Sequence, residues 1–357
     1  MRRTFSPSRR MPDPPVYPLR FEPVYKEKVW GGRRLERFGR ALPGDAAARI
    51  GESWEICDLD ATSASGGGGE AAHSVVANGS LRGSTIGEVT ARYGPALVGR
   101  LETGEGFPLL IKYLDAMENL SVQVHPSAEY AVAHADAHLK SEAWYVVDAE
   151  PGSAIWKGIR EGTTPDVFRA AIESGDRARI ESLMIRVPVR PGDCHYLPSG
   201  TCHALGEGVF VAEVQTPSDT TFRVYDWGRT DRELHVEQAM QCMAFGPAEV
   251  ESCERRSHVA GMFTTVTRLV LCEHFRIEKV RMSEGYEQEI PYDQPTIWMV
   301  LEGGGTIETG NGAEAVDFER GQTLLVPAAM DEAKVRLAAD TSWLEVTFPQ
   351  ALPERIA

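Results

Sequence analysis

Two short stretches constrain this chain more than any other part of it. The first, SVQVHP (residues 121–126), reads as a strand in which Ser121, Gln123 and His125 share one face while Leu120, Val122 and Val124 share the other. One face is apolar and the other carries chemistry. The second, PGDCHYLPSGTCH (residues 191–203), sets Pro198 and Gly200 in a tight turn between strands, and the strand that leaves it carries His203 inward. Between them, LKSEAWYVV (residues 139–147) places Lys140 and Glu142 two apart, on a shared strand face, ahead of an apolar run that must be buried.

The rest of the chain is read around these strands. From Phe21 to about Asp60 there are turn signals and short apolar runs, among them VWGGRRL and IGESWEICDLD; FPLLIKYLDA reads as a further buried strand. The glycine-rich SASGGGGEAAHSVVANGS (residues 63–80) is expected to be a mobile surface loop. Helical patterns occupy residues 85–101, 127–139 and 164–184. Beyond Glu251 the runs FRIEKVRM, TIWMVLEGGGTIET, QTLLVPA and SWLEVTF are almost purely β and suggest a second antiparallel sandwich or barrel. A length of 357 residues suits two such units. The expected division is a flexible tail over 1–20, a chemistry-bearing domain over 21–250 with helical insertions, and a second β domain over 251–357.

Charge and cysteine usage narrow the partners. A net charge of −15 argues against nucleic acid and anionic membrane. No run reaches the roughly 18 to 20 apolar residues that span a bilayer, and the basic N-terminus has no apolar segment behind it, so neither signal peptide nor anchor is expected. Six cysteines without a C-x-x-C pair fit reduced thiols in a cytoplasmic protein.

Gly192, Pro198, Gly200 and His203 match the second sequence motif of the cupin superfamily, a glycine, five residues, then P-x-G-x-x-H. From about Phe21 to His235 the chain resembles the type I mannose-6-phosphate isomerases in their short bacterial form. The match is collinear through VWGG, GESWE, PLLIKYLDA, LSVQVHP, LKSEAWYV, PSGTCHAL and EVQTPSDTTFRVYDWGR. The resemblance implies a mainly β fold of two cupin-type jelly-roll barrels with a small α-helical insertion in the catalytic one. It implies interconversion of mannose 6-phosphate and fructose 6-phosphate through a cis-enediol, and one Zn²⁺ per chain on Gln123, His125, Glu142 and His203. The expected partner is a sugar phosphate, with no nucleic acid or membrane, in a monomer or homodimer.

The residue types suit that chemistry. Two imidazoles, a carboxylate and an amide oxygen form a mixed N/O set fitted to a borderline ion, and a single anionic ligand leaves the site with a charge of about +1. Moving a proton between C2 and C1 needs an acid/base group and positive charge near the developing oxyanion. Arg223 is the permanently charged partner for the oxyanion or the phosphate. Glu213, on the face of Gln215, is the first candidate to move or orient the proton; Lys112 and Lys140 are the other basic candidates, and Ser121 is a polar contact to the substrate. Two other readings stay open: an iron-dependent cupin oxygenase, against which Gln123, Lys140 and Arg223 weigh, and a sugar-phosphate-binding sensor without catalysis. In the C-terminal unit the stretch over residues 321–330 keeps Gly321 and Pro327 of the cupin pattern but has no histidine downstream. It is expected to be scaffold without a metal.

Overall fold

Side-chain alternation decides the layering. In the strand Leu110–Asp115, Ile111 and Tyr113 join an apolar cluster on one side of the sheet, while Lys112 and Leu114 face the other way into a cleft. The strands Val209–Gln215 and Glu142–Ala149 behave alike: Ala212, Val214, Ala143 and Tyr145 join the same cluster, and Glu213, Trp144 and Glu142 point inward. The computed structural model describes residues 17–63, 68–101, 106–134, 137–247, 256–290, 293–309, 315–330 and 332–349.

The inward faces belong to a six-stranded antiparallel sheet ordered Cys194–Leu197, Glu142–Ala149, Val209–Gln215, Leu110–Asp115, Ile50–Ile56, Val24–Gly32. Opposite it lies a five-stranded sheet ordered Met184–Pro188, Ala154–Ile159, His203–Leu205, Val122–Val124, Phe222–Tyr225. The C-terminal half repeats the architecture with an eight-stranded and a four-stranded sheet. One apolar cluster runs through both halves, from Phe38, Tyr113 and Phe210 to Phe275, Trp298 and Trp343. Among the described residues no helix is long and apolar enough to cross a membrane.

The structure corrects two expectations. The tail expected over 1–20 is already folded at its end: Tyr17 is buried and its hydroxyl accepts the Leu81 N–H at 2.9 Å. The strand Leu19–Glu22 then pairs with Thr323–Val326 on one side and with Val75–Val76 on the other. An N-terminal strand thus completes the C-terminal sheet, and a cut near residue 250 does not separate two closed units. Residues 1–16 and 248–255 lie outside the described residues. The loop expected over 63–80 also holds structure, because Ala72–His73 pairs with Asp58–Leu59 and Val75–Val76 with Leu19–Glu22; its residues 64–67 are not described.

The VWGG and GESWE stretches meet across the first hairpin. A Cβ on Gly31 would lie 2.4 Å from the backbone nitrogen of Gly51, so the two backbones touch where only glycine fits. The helical pattern over 164–184 resolves into Pro165–Ser174 and Arg177–Leu183. They are broken at Gly175, whose φ of 64° is the left-handed conformation that ends a helix.

Candidate active site

Both sheets contribute to one polar centre. His203 opens the strand His203–Leu205 and stands opposite Gln123 in the ladder; His125 follows the strand Val122–Val124; Glu142 opens its own strand opposite Gln215. The possible ligand atoms of His125, Glu142 and His203 all lie within 4.8 Å of one another, and no one of the three residues is more than 2% exposed.

Backbone carbonyls fix both imidazoles. His125 Nδ1 lies 3.0 Å from the Thr220 carbonyl and His203 Nδ1 2.8 Å from that of Thr201. A carbonyl only accepts, so each Nδ1 carries the proton and each Nε2 presents a lone pair. Those lone pairs face a carboxylate: His125 Nε2 is 3.3 Å from Glu142 Oε2, and His203 Nε2 is 3.2 Å from Oε1. Burial, reinforced by Lys140, pushes His125 down to about 3, so this ring stays neutral. Burial alone would raise Glu142, but the Lys140 ammonium, with Nζ 2.9 Å from Oε2, holds it well below the ordinary carboxylate range. Electron pairs thus converge with no proton between the imidazoles and the carboxylate, which is the donor set a divalent cation fills. Gln123 turns its amide nitrogen to His203 Nε2 at 3.3 Å and accepts from Ser121 Oγ at 3.1 Å. Ligation through its oxygen requires the amide to rotate over.

Beside this centre lies a small cleft whose lining includes Lys112, Ser121, Gln123, Lys140, Glu213 and Arg223. Lys112 faces Glu213 on one neighbouring strand and Trp54 on the other. Its Nζ lies 3.5 Å from Glu213 Oε1 and 3.7 Å from Glu52 Oε2. Burial works against its charge, yet Glu213 and Glu52 more than compensate and its pKa is raised. Glu213 is raised too, by burial and then by the Glu142 charge, against the pull of Lys112. Arg223 donates to the Glu233 carbonyl at 2.8 Å, while Asp226 is engaged by Arg229 and Arg232. The structure groups His125, Glu142 and His203, and sets Lys112, Ser121, Gln123, Lys140, Glu213 and Arg223 along the adjoining cleft.

It also adds cleft residues to which the sequence gave no role. Lys28 Nζ sits 3.2 Å from Glu52 Oε1, the Trp54 indole donates to Glu52 Oε2 at 2.6 Å, and Arg232 completes the rim. The signal lay in GESWE, where Glu52 and Trp54 alternate onto one face. Asp219 lines the cleft as well, its carboxylate accepting the Ser63 N–H.

Residues 19–155 match the family model described as phosphomannose isomerase type I, catalytic domain. The chain is 36% identical over 330 residues to mannose-6-phosphate isomerase ManA of Bacillus subtilis (strain 168), across 89% of this chain and 95% of that protein. It belongs to the type I phosphomannose isomerases. A mannose-6-phosphate isomerase of Streptococcus mutans is also 36% identical, over 323 residues covering 87% of this chain and 92% of the relative. The crystal structure of the mannose 6-phosphate isomerase from Bacillus subtilis superposes with a TM-score of 0.80 at 31% identity, over 93% of this chain and 99% of that one. A zinc-bound mannose 6-phosphate isomerase, 15% identical with a TM-score of 0.69, shares the fold over 93% of this chain and 100% of its own. For this phosphomannose isomerase the family assignment sets the oxygenase reading aside.

Proposed function

We propose that this phosphomannose isomerase interconverts mannose 6-phosphate and fructose 6-phosphate through a cis-enediol, with one Zn²⁺ held by His125, His203, Glu142 and Gln123. The observation that carries the reading is the centre itself: two Nε2 lone pairs and a carboxylate converge beside a cleft rich in lysine and arginine. The isomerase names of the relatives and the zinc-bound structure that shares the fold support it.

When bound, the ion supplies Lewis acidity toward a sugar oxygen. The side chains do the rest. Arg223 keeps its charge at any working pH and meets the oxyanion or the phosphate. Lys112, Lys140 and Ser121 bind and orient the sugar. Glu213 takes the proton from C2 and returns it to C1 while the hydroxyl proton of O2 passes to O1, so that no atom is gained or lost and no external oxidant is needed. Burial moves its pKa toward the range where a carboxyl both accepts and gives a proton. The C-terminal half acts as scaffold.

A coupled assay with mannose 6-phosphate tests this. Turnover that stops on chelation, returns with zinc and is missing in His203→Ala supports the reading; a folded, zinc-loaded protein that makes no fructose 6-phosphate overturns it.

A further inference from the structure

We infer that Trp144 is a positioning residue of the isomerase, its indole N–H orienting the Glu213 carboxylate. Trp144 stands between Glu213 and His195 in the ladder and faces the same lumen as Glu142, two residues earlier on its strand. It is 1% exposed. Its Nε1–H donates to Glu213 Oε2 at 2.9 Å, which leaves Oε1 directed at Lys112, 3.5 Å away. The same ring meets His203 edge-on, with centroids 5.3 Å apart and planes at 82°. His203 is therefore held by the Thr201 carbonyl through Nδ1 and by the indole through ring packing.

The arrangement is repeated across the cleft. Lys112 lies between two carboxylates and each accepts an indole N–H, Glu52 from Trp54 and Glu213 from Trp144. An indole suits the task because it donates without titrating and is too large to rotate within a packed interior. It fixes one carboxylate oxygen and so aims the other. A phenylalanine would fill much of the same space and fix neither oxygen.

This inference rests on the proton-transfer role proposed for Glu213, and the experiment separates the two. Trp144→Phe, Glu213→Gln and the double variant are compared for kcat, for KM with mannose 6-phosphate, and for bound zinc by mass spectrometry. Trp144→Phe is expected to lose about tenfold or more in kcat, with KM within about twofold and zinc content unchanged. The double variant should be no slower than Glu213→Gln, because the indole acts through that carboxylate. β-(3-Benzothienyl)alanine at position 144, which keeps the ring shape and removes only the N–H, should reproduce the loss even if the phenylalanine variant does not fold. Wild-type kcat in that isostere, losses that multiply in the double variant, or a loss that follows zinc content would each overturn the inference. Full activity in Glu213→Gln would instead remove the proposed role of Glu213, and the positioning role with it.

Discussion

Glu52→Gln should destabilise the protein by about 3 kcal/mol at neutral pH, and the deficit should shrink in acid. Glu52 sits between Lys28 at 3.2 Å and Lys112 at 3.7 Å and accepts the Trp54 indole at 2.6 Å. Burial alone would raise its pKa; Lys28 and then Lys112 reverse that and hold it at about 2, against an ordinary 4.5. A difference of about 2.5 units, at about 1.36 kcal/mol per unit, gives about 3 kcal/mol. Because the folded-state value is the lower one, this stability is present in full above 4.5 and fades as the pH falls toward 2. One unit below the ordinary value, roughly two-fifths of it has gone. Glutamine keeps the shape and an acceptor for Trp54 but neither the charge nor the titration. Urea unfolding of both proteins at neutral pH and at about pH 3.5 measures the gap. A gap of equal size at the two pH values would refute the electrostatic account and leave packing as its source.

Other perturbations have equally definite outcomes. Gly31→Ala drives a Cβ into the Gly51 backbone, which has no rotamer to yield, so a loss of about 1–3 kcal/mol or more should appear as a lower melting temperature. Arg223→Lys keeps a charge but not the planar fork, and KM for mannose 6-phosphate should rise about tenfold. Lys140→Met removes the cation 2.9 Å from Glu142; turnover should fall about a hundredfold while zinc content by mass spectrometry holds or rises.

Much of the site could be read from the residues because strand alternation is local. Gln123 and His125 fall on one side of SVQVHP whatever the rest of the chain does, and the turn at Pro198 and Gly200 delivers His203 to the same lumen. The β-rich halves were legible for the same reason. What escaped depends on partners distant in sequence. Leu19 looks like the end of a tail until Leu325 is beside it, and residues 72–76 look like part of a glycine-rich loop until Asp58 and Phe21 supply their ladders. Glu52 and Trp54 showed the right alternation, but only their approach to Lys112 distinguishes a cleft residue from a solvated one. Trp144 looked like an ordinary apolar core residue, and its indole N–H found a purpose only in the register with Glu213.

The pairing of Leu19 with Leu325 has a consequence for how the chain comes to be made. As it leaves the ribosome, the strand Leu19–Glu22 meets Val75–Val76 early but must wait for roughly three hundred further residues before Thr323–Val326 can pair with it. Closure over such a span is slow, because the entropy of joining distant segments is lost before the contact rewards it. The last stage of folding is then a docking of the beginning of the chain onto its end. A nascent chain stalled before Thr323–Val326 would leave Leu19 and Arg20 without their ladder partners, while Phe21 and Glu22 already meet Val76 and Val75, and that open half of the strand is available to a neighbouring copy and a natural point for chaperone attention.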